Sequence, residues 1–237
     1  MRFVCVCEGG GLRAALRDDL DRYVFIVQSQ HGLTGPVVRI RVGLLSQGMW
    51  ATTAYRVNHY VRYRLHSRLL GAPSSVFHQM VMALTGIHIS ANAHIGSGLE
   101  IPHGGRIEIG PVRIGRNCDI YQGVTLGGTM STLNEPRSGP DTPTLGDRVW
   151  VGPGAVIAGH VTVGDDASVG ANSLLVRDVP PRGVALGVPA RSVSRSGSFF
   201  QITYRGMDDD EERKAALAAA GEADPRPNAG ELELADH

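Results

Sequence analysis

One histidine in the sequence has neighbours that suit a catalytic base. It occurs in EIPHGGRIEIG, residues 100–110, where His103 follows Pro102 and precedes Gly104 and Gly105. A neutral imidazole is a base whose pKa matches neutral pH, so it can take a proton from a hydroxyl group that is otherwise a poor nucleophile. Glycines beside it leave room for a ligand to approach the backbone. The alternative is an ordinary surface histidine in a turn.

The stretch around His103 belongs to a repeat with a period of six residues. Aliphatic residues recur at every sixth position, apart from one seven-residue step and one insertion. The thirteen members are Ile89, Ile95, Ile101, Ile107, Ile114, Ile120, Leu126, Leu145, Val151, Ile157, Val163, Val169 and Leu175. A period of six fits neither an α-helix nor a two-sided strand, and it is the signature of a parallel β-helix. The predicted fold class is mainly β with an α-helical N-terminal region.

The period also predicts how the coils of the β-helix stack. Three hexads make one triangular coil, so residues about 18 apart are expected to lie one above the other at the spacing of neighbouring strands, about 4.8 Å. Two irregularities interrupt the period, namely an additional residue between Ile107 and Ile114 and an inserted loop at residues 129–143. Cys118 falls at a small, inward-facing position and is expected in the core.

Helical segments are predicted before the repeat. Residues 12–28 have an amphipathic pattern, and apolar residues recur at steps of three or four along residues 44–69. A third helix is expected to begin at Pro73, a favoured first helical residue, and to end near Leu84. The basic residues of the second helix, which include Arg56, are expected on a solvated or inter-subunit face.

The chain is predicted to have three parts. Residues 1–86 form an N-terminal helical region, residues 87–192 form the β-helix domain with its inserted loop, and residues 193–237 form a partly disordered C-terminal extension. Within the extension, SFFQITYRG indicates a strand and DDDEERKAALAAAG indicates a helix with acidic residues in its first turn. The final stretch, EADPRPNAGELELADH, has the composition of a disordered segment.

Composition argues against several classes of protein. Lys plus Arg and Asp plus Glu both total 23, so the net charge does not indicate a general nucleic-acid binder. The three cysteines, Cys5, Cys7 and Cys118, do not make a disulfide framework, and a reduced cytoplasmic setting is expected. No apolar run is long enough for a transmembrane helix, and the N-terminal sequence lacks the features of a signal peptide.

The order of several motifs carries a family resemblance. The repeat, YQGVTLGGT, the inserted loop and GVPAR follow one another, and TTAYRVNHYVRYRL precedes them. With these motifs the sequence resembles serine O-acetyltransferases of the hexapeptide-repeat acyltransferase superfamily over roughly residues 44–192. The resemblance implies a left-handed β-helix, acetyl-CoA as the acyl donor, a hydroxyl-bearing small molecule as the acceptor, and no metal. It also implies homotrimers with active sites between neighbouring subunits, and N-terminal helices that pair two trimers.

The resemblance assigns roles to residues on both sides of the reaction. It implies that His103 is the general base that deprotonates the acceptor hydroxyl as this oxygen attacks the thioester of acetyl-CoA. It further implies a CoA channel lined by backbone amides, with an arginine that binds a phosphate group. The corresponding residues are Gly128, Thr129, Pro153, Ala171 and Arg191. Pro153 has no N–H group, so it lacks the donor that this contact requires.

The residue expected to orient the base differs from the family. Where the family has an aspartate, this sequence has His88. A neutral imidazole can accept a hydrogen bond from His103, but it cannot stabilise an imidazolium as a carboxylate does. Three interpretations stay open: His88 orients the base weakly, another acid such as Glu100 orients it, or His88 faces the acceptor.

The acceptor-binding positions differ as well. Pro102 stands where the family has an aspartate for the serine amine, and Asp141 and Thr142 stand where it has an Arg-His pair for the serine carboxylate. A buried charge without a partner costs several kcal/mol, so such a site would bind a zwitterion poorly. The sequence therefore favours an O-acetyltransferase with a changed acceptor, such as a sugar, a glycan precursor or a specialised metabolite. The alternative is a genuine serine acetyltransferase of cysteine biosynthesis.

Two further alternatives belong to other classes of protein. His88, His94 and His103 lie close in sequence, and carbonic-anhydrase-like metalloenzymes share the repeat, but spacings of six and nine residues differ from those of their zinc ligands. The second is a non-catalytic trimeric scaffold, against which the CoA-binding motifs argue.

Overall fold

The helices form the N-terminal part of the molecule and return once near its C-terminal end. The computed structural model describes residues 11–32, 35–128 and 141–223. Its helices are α1 (Leu12–His31), α2 (Pro36–Leu45), α3 (Gln47–Tyr60), α4 (Arg68–Thr85) and α5 (Glu211–Ala223), and a π-helical turn, Val61–Leu65, follows α3. Helix α1 confirms the helix predicted at residues 12–28. In the described ranges, no helix is both long and apolar enough to cross a membrane.

The prediction of a single helix over residues 44–69 is wrong. Its first residues belong to α2, after which Ser46 leaves the helical conformation and caps α3 by accepting a hydrogen bond from the Met49 N–H at 3.2 Å. Serine favours this position because its hydroxyl satisfies an amide that has no partner within the helix. The helical stretch then ends at His66, which has a left-handed φ of 47°.

Helix α4 begins earlier than predicted. Ser67 caps it by accepting from the Leu70 N–H at 3.3 Å, so the helix starts at Arg68 and Pro73 lies inside it. The start expected at Pro73 is therefore wrong, because the serine cap supplies the stronger signal for a helix start. The end of the helix is confirmed, since Gly86 takes a left-handed φ of 65° there.

Short strands wind into a parallel β-helix after α4. They are β1 (Ile87–Ile89), β2 (His94–Ile95), β3 (Ile107–Ile109), β4 (Arg113–Ile114), β5 (Asp119–Ile120), β6 (Thr125–Gly127), β7 (Thr144–Leu145), β8 (Trp150–Val151), β9 (Val156–Ala158), β10 (Thr162–Val163), β11 (Ser168–Val169), β12 (Leu174–Leu175), β13 (Val184–Gly187) and β14 (Ala190–Ser194). Three sheets result, with the orders β1-β3-β6-β9-β12, β2-β4-β7-β10 and β5-β8-β11-β13-β14. Neighbouring strands are parallel except for β13 and β14.

The interior of the β-helix confirms the six-residue repeat. All thirteen aliphatic residues of the predicted series are at most 1% exposed. Complete burial of one such side chain stabilises the fold by about 1.5–3 kcal/mol, so the series accounts for much of the core. Cys118 is buried among them as predicted, and burial raises the pKa of its thiol to about 12.

Strand register confirms the predicted stacking in the second half of the β-helix. Thr144 there pairs with Thr162, which is 18 residues further along the chain. In the first coil the spacing is longer, because Ile89 pairs with Ile109. The first coil therefore contains residues that the regular repeat lacks.

The additional residues lie in the turn that carries His103. The step between the buried Ile101 and Ile109 is eight residues, and the next step, from Ile109 to Ile114, is five. The irregularity predicted between Ile107 and Ile114 is thus misplaced, because Ile107 and Ile109 both face the interior of one three-residue strand. The effect is a lengthened corner at His103.

The strand predicted over SFFQITYRG is wrong. These residues form turns that fold back onto the β-helix, with Phe199 5% and Ile202 0% exposed. The Ser198 hydroxyl donates to the Arg148 carbonyl oxygen at 2.6 Å and holds the first turn in place. The edge of β13 that an added strand would need is occupied by β14, which pairs with it antiparallel.

The helix predicted in the C-terminal extension is confirmed as α5. It starts at Glu211, where the Asp210 side chain accepts from the Arg213 N–H at 3.1 Å. The final stretch predicted to be disordered begins at Glu222, so its first two residues belong to α5, and its remainder, residues 224–237, lies outside the described residues. The division of the chain into three domains stays a prediction.

Candidate active site

His103 lines a cavity of about 650 Å³ between the helical region and the β-helix. The lengthened corner contributes Pro102, His103 and Gly104, while α2 contributes Arg41 and α3 contributes Gln47. The His103 side chain is exposed, which a base that meets a substrate requires. Sequence reasoning missed Arg41, because the six-residue repeat does not predict that α2 packs against this corner.

The two glycines after His103 are explained by packing and backbone conformation. A Cβ on Gly104 would lie 2.1 Å from the Gln47 Oε1 and 3.2 Å from the Thr85 carbonyl oxygen, so glycine lets α3 and α4 approach the turn. Gly105 has a φ of 101°, a conformation that favours glycine. Packing thus accounts for Gly104 and backbone conformation for Gly105, and the role of both in leaving room for an acceptor stays a prediction.

Aromatic side chains lie beside the candidate base. The His103 ring centroid is 6.2 Å from that of Tyr121 in an edge-on arrangement, and Tyr121 is 5.4 Å from Trp150. Burial raises the pKa of Tyr121, so its hydroxyl stays neutral and can donate or accept a hydrogen bond in the cavity. Sequence reasoning missed Tyr121, although it is the first residue of YQGVTLGGT.

Two carboxyl groups lie on the wall of the same cavity. Glu100 and Asp119 form a bridge between successive coils and are 7% and 2% exposed. Arg22 of α1 donates a hydrogen bond to Asp119, and its Nη2 lies 3.9 Å from the Glu100 Oε2. Sequence reasoning considered Glu100 but missed Asp119, although both acids directly precede an inward-facing isoleucine and must therefore stack.

The pair of acids holds one proton, because a single guanidinium, that of Arg22, does not balance two buried carboxylates. Burial raises the pKa of Glu100, and the charge of Asp119 raises it further. Burial also raises the pKa of Asp119, but the direct contact with Arg22 opposes this effect. Asp119 is therefore the ionised member of the pair, and Glu100 holds the proton and donates it toward Asp119.

Buried polar contacts hold α1 and α3 against the coil that leads to His103. The Arg56 Nε donates to the Asp19 Oδ2 at 3.0 Å, and Asp19 also accepts from the Gly98 N–H at 2.7 Å. The Tyr23 hydroxyl accepts from the Ile101 N–H at 2.8 Å. Arg56 is 1% exposed, so the solvated or inter-subunit face predicted for it is wrong: its guanidinium ties the helical region to the β-helix.

His88 lines a different cavity from the one that His103 lines. Its Nδ1 is 3.8 Å from the Glu108 Oε2, and both residues line a cavity of about 410 Å³ together with Asn58 and His78. The acid beside His88 is therefore Glu108, on the next coil. An orienting role of His88 toward His103 stays a prediction.

The two ends of the inserted loop meet at Gly128. A Cβ there would lie 2.6 Å from the Asp141 carbonyl oxygen and 3.8 Å from the Thr142 Cγ2, so the position requires glycine. Thr129 lies outside the described residues. Asp141 and Thr142, predicted to bind the acceptor, thus lie beside a residue predicted to bind CoA, whereas Pro102 lines the His103 cavity.

The other residues predicted to bind CoA lie on later coils. Pro153 and Ala171 occupy turns of neighbouring coils, where the Pro153 carbonyl oxygen accepts from the Asn172 N–H at 2.8 Å. Arg191 is exposed on β14, close to the end of the β-helix. The roles of all three toward CoA stay predictions.

The three histidines of the zinc alternative have separate surroundings. The His94 ring packs against His59, with centroids 5.5 Å apart, and against Tyr63 at 5.9 Å. His88 and His103 line different cavities. Across the described residues, no group of three or more His, Cys, Asp or Glu side chains is arranged to hold a metal ion. The ligand set that the zinc alternative proposes is therefore not assembled here.

Sequence comparison identifies relatives of this chain. Residues 142–177 match the family model for the bacterial transferase hexapeptide (six repeats). The chain is 37% identical over 176 residues to a serine acetyltransferase of Synechococcus elongatus, which covers 73% of this chain and 68% of that protein. It is 39% identical over 153 residues to a serine acetyltransferase of Helicobacter pylori, covering 64% of this chain and 84% of that protein.

Comparison with solved structures gives the same family. Soybean serine acetyltransferase complexed with serine has a TM-score of 0.63 and 32% identity, covering 79% of this chain and 72% of that chain. Neisseria gonorrhoeae serine acetyltransferase in complex with serine has a TM-score of 0.62 and 28% identity, covering 77% and 69%. The predicted left-handed parallel β-helix with an α-helical N-terminal region is thereby confirmed. The chain belongs to the serine acetyltransferase family and is an acyltransferase.

Proposed function

We propose that this protein transfers the acetyl group of acetyl-CoA to the hydroxyl group of L-serine. The observation that carries the proposal is the position of His103 in a cavity that two acidic residues, Glu100 and Asp119, and one basic residue, Arg41, also line. Groups of both signs suit a zwitterionic amino acid, and an exposed imidazole suits its hydroxyl. The relatives named serine acetyltransferases, two of them solved with serine, support this acceptor.

His103 acts in this proposal as the general base. Its neutral imidazole accepts the hydroxyl proton while the oxygen attacks the carbonyl carbon of the thioester, and the C–S bond then breaks. The imidazolium returns the proton to the departing thiolate, so the products are the acetyl ester and free CoA. General-base catalysis of this kind contributes roughly a hundred- to ten-thousandfold to the rate, so removal of the imidazole is expected to abolish most of the turnover.

A sugar or another uncharged hydroxyl compound is the second candidate acceptor. It is favoured by Pro102, which replaces a family acid beside the base, and by Asp141 and Thr142, which replace a cationic pair. The argument against serine was that a zwitterion would lack partners, but Glu100 and Arg41 supply groups of both signs from other elements. The comparisons also favour the serine alternative over a changed acceptor.

A homotrimer completes the proposed active site. Within one chain, His103 lies in a cavity lined by residues of α1 and α2. Gly128, which is predicted to bind CoA, lies elsewhere, beside Asp141 at the ends of the inserted loop. A site between neighbouring β-helices would bring a base from one subunit to the CoA-binding residues of the next. Exposed apolar residues on α4, such as Leu69 at 83% and Val76 at 68%, support pairing of trimers through the helical region. A cytoplasmic location belongs to the same proposal.

The test is release of free thiol from acetyl-CoA by the purified protein, with L-serine and a panel of sugars as acceptors. Wild-type protein is expected to acetylate serine, and His103→Asn is expected to lose this activity. His160→Asn, which changes an exposed histidine on a later coil, is the matched control and is expected to keep it. Turnover of a sugar without turnover of serine would overturn serine as the acceptor. Absence of thiol release with every acceptor would overturn the proposed reaction.

A further inference from the structure

Glu100 is a buried acid whose nearest cation is committed to another residue. Arg22 donates directly to Asp119, whereas its Nη2 is 3.9 Å from the Glu100 Oε2, beyond hydrogen-bond distance. Glu100 is 7% exposed, and an ionised carboxyl group at that depth requires a partner. A bound proton makes the Glu100 carboxyl group neutral and so removes this requirement. If a cation enters the cavity, Glu100 can instead lose the proton and pair with that cation.

The charged groups that act on Glu100 are Asp119 and Arg22, and Arg22 is the one cation of the two. Tyr23 of α1 is neutral, because burial raises the pKa of its hydroxyl far above the usual range. Asp19, also on α1, is paired with Arg56. His103 and Arg41 of α2 line the same cavity as Glu100. The cavity therefore presents a protonatable acid, a base and a guanidinium to whatever enters it.

We propose that Glu100 binds the ammonium group of the acceptor and that Arg41 binds its carboxylate, so that this cavity selects a hydroxy amino acid. The inference rests on the proposed function and names the residues that recognise its substrate. It also explains how the chain binds a zwitterion without an acid at Pro102 or a cationic pair at Asp141 and Thr142.

Charge balance favours this assignment. With the acceptor bound, a guanidinium from Arg22 and an ammonium face the two carboxylates of Glu100 and Asp119, so each anion has a cation. The ammonium offers three N–H donors, of which Glu100 accepts at least one in a charge-assisted bond. The planar fork of Arg41 matches the two oxygens of the acceptor's carboxylate. The proton that leaves Glu100 passes to the solvent.

Glu100→Gln is the variant that isolates the ammonium contact. The amide keeps the shape of the protonated acid and can still donate to Asp119, so the fold is retained, but it cannot ionise. We expect KM for L-serine to rise roughly ten- to hundredfold, the effect of losing a hydrogen bond to a charged group, with KM for acetyl-CoA unchanged. Glu108→Gln, on the neighbouring coil and in the other cavity, is the matched control and is expected to leave both values unchanged.

Proton release gives a readout that a structural role would not change. Calorimetric titration of wild-type protein with L-serine, repeated in buffers of different ionisation enthalpy, is expected to show net release of protons on binding. The Glu100→Gln variant is expected to lack the proton that Glu100 releases in wild type. Titrations that show the same proton count for wild type and Glu100→Gln would overturn the assignment of the ammonium to Glu100.

Two analogues of serine separate the contacts of Glu100 and Arg41. L-Serine methyl ester keeps the ammonium and lacks the carboxylate, whereas glycerate keeps the carboxylate and lacks the ammonium. We expect Arg41→Gln to weaken the use of serine and glycerate but not of the ester, and Glu100→Gln to weaken the use of serine and the ester but not of glycerate. Arg39→Gln, on the same helix and paired with Asp21, is the matched control and is expected to behave as wild type.

The outcomes distinguish this inference from the proposed function. Wild-type protein that acetylates no serine overturns the proposed function and the inference together. Wild-type protein that acetylates serine, with Glu100→Gln and Arg41→Gln giving the same KM as wild type, overturns the inference and leaves the function intact.

Discussion

The substitution Asp19→Asn tests whether the helical region is held to the β-helix by a buried ion pair. Asp19 is 0% exposed, and its Oδ1 accepts from the Gly98 N–H at 2.7 Å and the Leu99 N–H at 3.3 Å, while Oδ2 accepts from the Arg56 Nε at 3.0 Å. Asparagine keeps one oxygen for the two amides, but its NH2 group then faces the Arg56 Nε, donor against donor. The substitution also removes the carboxylate charge that faces the buried Arg56 guanidinium.

Breaking a buried ion pair by removing one partner costs about 3–5 kcal/mol, against a total stability of about 5–15 kcal/mol for an ordinary domain. The carbonyl oxygens of Ile95 and Gly96 still accept from Arg56, so the lower end, about 3 kcal/mol, is expected. Urea unfolding followed by circular dichroism measures the loss. Asp18→Asn, an identical change at the exposed neighbouring residue, is the control. If the two variants have the same unfolding free energy, the ion pair does not hold the two regions together.

Two further substitutions test the geometry around His103. Because burial raises the pKa of Glu100 in the folded protein, the stability that its neutral form contributes is fully present below the pKa of the unfolded chain and is lost as the pH rises through the raised pKa. The unfolding free energy of Glu100→Gln relative to wild type should therefore increase with pH, and a difference that is constant across urea titrations at several pH values would contradict this. Gly104→Ala places a Cβ 2.1 Å from the Gln47 Oε1, the end of a flexible side chain that can move away, and 3.2 Å from the Thr85 carbonyl oxygen, so it should cost only about 1 kcal/mol in thermal unfolding. Gln47→Ala in the same chain should recover the part of this cost that comes from moving Gln47. Equal losses in the single and double variants would instead assign the cost to the backbone.

The β-helix was predictable because burial imposes its period on the sequence directly. Each coil repeats the same three corners, so an aliphatic residue at every sixth position is both necessary and visible, and Ile89 through Leu175 are buried as that rule requires. The helix boundaries were less predictable, because single side chains decide them. Ser46 and Ser67 each accept one backbone N–H and thereby start a helix at places that apolar periodicity does not mark.

The candidate site was predictable only as far as the repeat reaches. His103 stands out in sequence because of its neighbours, and the stacking of Glu100 on Asp119 follows from their equivalent positions on successive coils. Arg22 and Arg41 belong to helices whose amphipathic pattern says which residues are apolar but not where on the β-helix each helix docks. Their part in the site therefore depends on tertiary contacts that periodicity does not encode.

The stacking of successive coils explains why the helical region has to be part of this site. A parallel β-helix brings equivalent positions to within about 4.8 Å, so acids at the same position of two coils repel each other wherever the wall is buried. Glu100 and Asp119 are such a pair, and the cation that reaches them, Arg22, comes from α1 rather than from the β-helix. Asp19, on the same helix, accepts a hydrogen bond from the Gly98 N–H and so fixes the position of α1 along the β-helix. The helical region thus sets the charge of the cavity beside His103, because the cation next to Asp119 is available only when α1 is docked.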